Sequence, residues 1–415
     1  MEVSLTLSRT LDEISLGKIV VIREQLLKAQ AEGEKVYRFE SGDPNFSVAP
    51  HVLTAIKTAA DEGKTHYIPN SGIPLLRTAI FHKVQQKNHI PINSEEDVFV
   101  TNGAMHALFV TFASLLENGD EVIVPDPMWT EVVENIRLAG GVPVGIPLRF
   151  ENDCTYDPVD IRNSITPRTK AIFINTPHNP TGAVLSKNQL IEILAIAERH
   201  NLWIISDEAY EDVIYAPYAH CSIGSLAPDY LDRIISIFSF SKSHAMSGLR
   251  VGYIVTTNRQ LQDRIPKLLR CSVNGVNSLG QWGALAALRG PQDHLLEMRW
   301  EYAARRDLMI KALEDLDGLR VFKPKGAFYL WVELDPSVYD RLGCRSADEL
   351  SSWLAASGIG SAPGDAFGQS CENAIRFAFS CETSMVEEGA IVLRSLLKGD
   401  TVAQLEAMVE AEGAR

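Results

Sequence analysis

Four short stretches of the chain carry residue types that could do chemistry together. Lys242 stands in Phe238-Ser239-Phe240-Ser241-Lys242-Ser243, with Arg250 eight positions on. An amine can attack a carbonyl once a cationic or desolvating setting lowers its pKa, and the hydroxyls and the arginine suit a phosphate beside it. Asp207 and Tyr210 stand in Ser206-Asp207-Glu208-Ala209-Tyr210, after an apolar run. A buried carboxylate there is costly unless a cation or donors meet it, and holding a proton on a heterocyclic nitrogen is one use. Asn179 stands in Asn175-Thr176-Pro177-His178-Asn179-Pro180-Thr181-Gly182, where two prolines and a glycine fix the loop. Thr101-Asn102-Gly103-Ala104-Met105 puts a glycine at a helix start, where an anion can approach free N–H groups. Taken singly, each stretch also fits a plain role as tight turn, rigid connector, helix cap or surface lysine. The combination is what points to a site.

These stretches need elements that bring them together. From about residue 98, short β-branched runs alternate with helical stretches. The runs are Val98 to Thr101, Glu121 to Val124, Ala171 to Ile174, Leu202 to Ile205, Arg233 to Phe238 and Val251 to Val255. Continuous apolar runs predict strands buried on both faces, as in a mostly parallel sheet flanked by helices. Ligands of such sheets gather at the C-terminal strand ends, and each of the four stretches follows a run. Upstream, helices are expected over Leu11 to Glu32 and His51 to Glu62, with a short strand at Val36 to Glu40 between them. Downstream, a long helix is expected from His294 to Asp317, then strands at Phe328 to Glu333 and Ala374 to Phe379 and a C-terminal helix. The expected fold class is α/β. A large domain over residues 46–295 carries the sheet, and a smaller α+β domain is built from both chain ends, 1–45 and 296–415.

Composition sets bounds on function. A chain of 415 residues with 46% apolar and 22% charged residues fits a globular enzyme of about two domains. A formal net charge of −14 argues against nucleic acid as a partner, because phosphate backbones select basic faces. The six cysteines form no Cys-x-x-Cys pair and have no histidine cluster, so free thiols in a reducing compartment are expected and no metal. Met1 to Arg9 lacks the basic start and apolar core of a secretory signal, and no apolar run approaches the ~20 residues of a membrane helix. The expected location is cytoplasmic, away from membranes.

On these residues the chain resembles a fold-type-I pyridoxal-phosphate enzyme of the class I/II aminotransferase family, from Gly42 to Arg376. Asn179-Pro180-Thr181-Gly182, Asp207-Glu208-Ala209-Tyr210 and Ser239-Phe240-Ser241-Lys242 carry the likeness, with steps of 28 from Asn179 to Asp207 and 35 from Asp207 to Lys242. The resemblance implies pyridoxal 5'-phosphate as cofactor, held as an imine on Lys242, which also serves as acid and base. It implies Asp207 on the pyridine nitrogen, Tyr210 and Asn179 on the phenolic oxygen, and Trp129 stacked on the ring. Gly103, Ala104 and Met105, at the helix start, would bind the cofactor, and Ser239, Ser241 and Arg250 would join Gly103 and Ala104 around its phosphate. Tyr67 would reach the phosphate of a neighbouring subunit, making a homodimer with shared sites. Arg376, with Asn179 and Gly42, would bind the substrate, the arginine clamping its α-carboxylate.

The expected reaction is a ping-pong transfer of an amino group between an α-amino acid and an α-keto acid. A different reaction on the same frame, such as β- or γ-elimination or a biosynthetic Cα reaction, shares these residues and stays open. A ligand-sensing regulator is not expected, because the stretch before the first family-like loop is too short for a DNA-binding domain. Dicarboxylate-selective members carry a lysine where this chain has Met105, or an arginine from the partner, and no basic residue lies between Ser272 and Ala287. Met105, Phe46 and Phe367 suggest a less polar pocket, and each also fits plain packing.

Overall fold

The computed structural model describes residues 16–400 together with Leu7, Leu11, Asp12 and Ile14. Seven strands form the larger sheet: β1 (Val98–Thr101), β2 (Glu121–Asp126), β3 (Val142–Pro147), β4 (Thr169–Asn175), β5 (Trp203–Asp207), β6 (Ile234–Ser239) and β7 (Gly252–Val255). Their order is β1-β7-β6-β5-β4-β2-β3. All neighbours are parallel except β7, which runs against both β1 and β6. The expected α/β class holds. The apolar runs have the reason the sequence suggested: Ile172 and Ile174 of β4 join one core while Ala171 and Phe173 join the core on the other face.

This topology positions the site. The strands β1, β2, β4, β5 and β6 all point the same way, so the loops after them share one edge of the sheet. The reversed strand β7 starts at that same edge, which returns Arg250 to the loops it must meet.

A second, antiparallel sheet has four strands in the order β10-β11-β9-β8: β8 (Leu319–Val321), β9 (Tyr329–Leu334), β10 (Ala362–Pro363) and β11 (Ala374–Ala378). Phe328, Leu330, Val332 and Phe377 bury against helices Asp293–Leu313 and Thr383–Lys398. Pairing of Arg376 with Trp331 and Phe377 with Leu330 sets the register that turns Arg376 towards the larger sheet's loops.

Two expectations differ from what the structure shows, and one strand was not expected at all. The first helix runs over Lys18–Ala31, capped by Gly17 at φ 79°, so it begins well after Leu11; part of 11–17 lies outside the described residues. Val36 to Glu40 forms no strand: Tyr37 makes an isolated bridge to Ile359 and the Phe39 carbonyl accepts from the Ala378 N–H of β11 at 2.6 Å, but the two contacts lie on different partners and no ladder forms. The edge strand β3, with two prolines and a glycine in six residues, has no apolar run to announce it. All six cysteines are free, and among the described residues no helix is long and apolar enough to cross a membrane.

Candidate active site

One cavity of about 420 Å³ opens between the strand-end loops and the small sheet, and most of the residues singled out in the sequence line it. Lys242 enters from the short helix Phe240–Ser243 after β6, whose start is fixed by the Ser239 hydroxyl accepting from the Ser241 N–H at 3.1 Å. Its Nζ donates to the Gly42 carbonyl at 2.6 Å. Burial lowers its pKa to about 8; Asp43 opposes that shift, while the cations Arg376 and Arg250 add to it. An amine in this state is partly neutral near physiological pH, as a nucleophile or base must be.

Asp207 ends β5 and is 4% exposed. Burial raises its pKa to about 7, against the pull of the Ala209 N–H on its Oδ1 at 3.1 Å. No side-chain cation bonds it among the described residues, so this carboxylate awaits a positive partner inside the cavity. Tyr210 follows one turn later, and its hydroxyl lies 2.7 Å from that of Tyr329. Asn179 is held by its N–H on Asn175 Oδ1 at 2.9 Å, and Asn175 Nδ2 donates to the Asp207 carbonyl at 3.1 Å.

At the far end, helix Gly103–Leu115 begins without a side-chain cap on its first N–H groups. Gly103 has φ 81°, and a Cβ there would sit 2.6 Å from Arg250 Nη2. Glycine therefore lets the helix start and the guanidinium share one small volume. Arg250 donates from Nη1 to the Ser247 carbonyl at 2.8 Å. With Ser239 and Ser241 this donor set suits a phosphate, and Asp207 suits a protonated ring nitrogen. The residues present fit pyridoxal phosphate.

Arg376 is 3% exposed, donating from Nη1 to Asn179 Oδ1 at 3.1 Å and from Nη2 to the Glu40 carbonyl at 2.7 Å. Its Nε has no partner, and its guanidinium lies over the rings of Tyr329 and Phe367 at 4.5 and 4.9 Å. A buried cation on the cavity wall with one donor left unpartnered suits a carboxylate. Ala104, Met105, Trp129 and Gly42 also line the cavity, whereas Gly103 backs Arg250 from behind.

Three residues fall elsewhere. Tyr67 is 88% exposed and lies against residues 274–279, away from this chain's cavity. Phe46 packs edge-on to Tyr302, and Phe367 packs edge-on to Trp331, so neither lines the cavity. Sequence reasoning missed Tyr329, Asn175, Asp43 and Glu131 in the lining. Asn175 was legible, since it ends a strand as Asp207 does. Tyr329 was not, because it reads as one more apolar position of β9.

Comparison with known proteins agrees with this geometry. The aminotransferase class I and II family model matches residues 34–393. An aspartate aminotransferase of Pyrococcus horikoshii is 35% identical over 392 residues, 94% of this chain and 97% of that protein. The solved aspartate aminotransferase of Thermus thermophilus with maleate superposes with a TM-score of 0.88 at 30% identity, covering 94% of this chain and all of that one. The solved aromatic aminotransferase of Pyrococcus horikoshii gives 0.83 at 32% identity, covering 92% and 100%. None of these relatives supports the elimination or other Cα chemistry that the shared frame leaves open in sequence. The chain belongs to the class I and II aminotransferase family, which implies pyridoxal phosphate, and it is an aminotransferase acting on amino and keto acids.

Proposed function

We propose that this chain binds pyridoxal phosphate in the 420 Å³ cavity and exchanges amino groups between an α-amino acid and an α-keto acid by a ping-pong course. The observation that carries the reading is the convergence of Lys242, Asp207 and Arg376 on that one cavity. When bound, the cofactor supplies a carbonyl for the amino group and an electron-withdrawing ring for the charge that develops at Cα.

The chain's own residues do the rest. Lys242 Nζ anchors the cofactor, then takes the proton from the substrate Cα, and its lowered pKa keeps a neutral fraction ready. Asp207 holds the proton on the ring nitrogen; that cation removes the penalty burial imposes on the carboxylate. Tyr210 and Asn179 donate to the phenolic oxygen, and Trp129 covers the ring face. Gly103, Ala104, Ser239, Ser241 and Arg250 hold the phosphate end, and Met105 meets the cofactor from the same helix start. Arg376 binds the α-carboxylate beside Gly42, which orients Cα towards Lys242.

The expected assembly is a homodimer, with Tyr67 serving a partner's phosphate; its 88% exposure and distance from this chain's own cavity support that reading. Segments 1–45 and 296–415 are proposed as a small domain that closes on the substrate, carrying Gly42 and Arg376 with it. Six free thiols suit a cytoplasmic setting.

The test is a single half-reaction. Cofactor-loaded protein mixed with one amino acid and no keto acid is expected to release keto acid up to one per site and stop. Adding an α-keto acid should restart it. Release of ammonia in place of a stalled stoichiometric burst would overturn the reading in favour of elimination.

A further inference from the structure

Two of the loops that meet at the cavity are tied to each other by one buried amide. Asn175 ends β4 and pairs with Asp207, the last residue of β5. It lines the cavity and is buried. Its Nδ2 donates to the Asp207 carbonyl at 3.1 Å, and its Oδ1 accepts from the Asn179 N–H at 2.9 Å. Neither bond can be reversed, since a carbonyl only accepts and a backbone N–H only donates. The position therefore needs a donor and an acceptor at one short reach, which is what asparagine offers. Aspartate lacks the donor, leucine lacks both, and glutamine is one carbon longer.

The main chain under that amide is fixed as well. Strands β2 and β4 pair only as far as Ile123 and Ile172, while β4 and β5 stay paired to Asn175 and Asp207. Beyond Ile172 the buried phenol of Tyr156 accepts from the Asn175 N–H at 3.3 Å and donates to the Phe173 carbonyl at 3.2 Å. The strand end keeps its direction after β2 has left it, so the Asn175 amide stands on a rigid base. Downstream, Asn179 Oδ1 accepts from Arg376 Nη1 at 3.1 Å. A guanidinium only donates, so this bond fixes which way the Asn179 amide faces and leaves its Nδ2 as the donor for another partner.

We infer that Asn175 is a positioning residue for the transamination. It sets the spacing between the Asp207 and Asn179 loops, and through Asn179 it aims the Nδ2 donor at the cofactor's phenolic oxygen and steadies Arg376 for the substrate carboxylate. Asp207 and Asn179 are assigned to two points on one flat ring, so their spacing has to match that ring, and a tie between the loops holds it better than either loop alone. A donor on the phenolic oxygen favours its ionised form and so lowers the pH at which the cofactor's visible band titrates.

This inference rests on the aminotransferase reading and on the place of Asn179 in it. Asn175→Ala, Asn179→Ala and the double variant are loaded with pyridoxal phosphate, and the pH at which the visible band titrates is read without substrate. Asn175→Ser, whose hydroxyl is too short to reach both neighbours, is carried alongside as a milder change that keeps the fold. Asn179→Ala should raise that pH by about one unit, the worth of one hydrogen bond to a charged group. Both Asn175 variants should raise it by about half as much or more, and the double variant should go little beyond Asn179→Ala, because Asn175 acts through that amide. The KM for the amino acid should rise about fivefold in Asn175→Ala, with cofactor dissociation little changed because the phosphate end is untouched. A lower melting temperature with the band unmoved in the Asn175 variants, or shifts that simply add in the double variant, overturns the inference and leaves the broader reading standing. A band unmoved by Asn179→Ala takes that residue off the phenolic oxygen and overturns both.

Discussion

The hydroxyl of Tyr329 lies 2.7 Å from the hydroxyl of Tyr210, while the Arg376 guanidinium rests 4.5 Å from the centre of the Tyr329 ring. One side chain of the small sheet thus touches both the loop that follows Asp207 and the arginine proposed to bind substrate. Burial pushes both phenols above their ordinary range, so both keep their protons. If Tyr210 donates to the cofactor's phenolic oxygen, the proton between the two tyrosines must come from Tyr329. A Cβ on Gly42 would overlap the Tyr329 hydroxyl, so glycine is what lets the covering loop approach it.

Tyr329→Phe keeps the ring under Arg376 and removes that proton. The expected outcome is a kcat/KM about five- to tenfold lower, the worth of one buried hydrogen bond near a developing charge. The pH at which the cofactor's visible band titrates should move as well, because the donor to the phenolic oxygen is weakened. A band that titrates unchanged would remove Tyr329 from the network.

Much of the candidate site was legible in the sequence because its proposed chemistry sits in local motifs. Asp207 ends β5, Lys242 follows β6 and Asn179 follows β4, so each proposed role is announced by a strand and the few residues after it. Tyr329 and Glu131 lack such a frame. Tyr329 matters through contact with a residue 119 positions away, and β9 alone reads as an ordinary apolar strand. Glu131 reads as a helix-start acid, favourable there on dipole grounds, until the cavity is seen. The fold divides in the same way. Strands buried on both faces declare themselves as apolar runs, whereas the edge strand β3, with a burial pattern mostly open to solvent, has no such pressure on its sequence.

Asp207 ties function to stability with a definite sign. Its folded pKa of about 7 stands above the ordinary 3.8, so the folded apoprotein binds a proton that the unfolded chain has lost between those values. Its favourable contribution is complete below pH 3.8 and is lost as pH rises through about 7. Lys242 has the opposite course, since a pKa of about 8 against 10.5 makes stability rise with pH across that interval. Asp207→Asn removes the first effect alone. Thermal melts of the apoprotein should show the variant's gain over wild type larger at pH 8 than at pH 5, by roughly 2–4 °C. The same variant should lose most transamination, since a neutral amide cannot hold the ring proton. A gain that does not grow with pH would contradict the raised pKa.

Arg376→Lys tests the proposed carboxylate site. The guanidinium bonds Asn179 and the Glu40 carbonyl in fixed directions and still has a free Nε, a geometry one ammonium cannot reproduce. The expected result is a KM for the amino acid raised about 50-fold or more with the cofactor's absorbance unchanged. If KM stays within about threefold while cofactor affinity falls, Arg376 acts on the cofactor instead.

Gly103→Ala tests the proposed phosphate end without replacing a charged group. The residue has φ 81°, a conformation alanine adopts at a cost of roughly 1 kcal/mol, and the added methyl would stand 2.6 Å from Arg250 Nη2. Arg250 must then swing away from the helix start, separating the cation from the first N–H groups that would share the phosphate with it. The expected outcome is cofactor dissociation at least about tenfold tighter in the wild type than in the variant, read by equilibrium dialysis. Pyridoxal without its phosphate should bind both proteins about equally, because the damage is confined to that end of the cavity. Equal loss of pyridoxal and of its phosphate would mean that the methyl disturbs the ring site, and the helix start would lose its assignment to the phosphate.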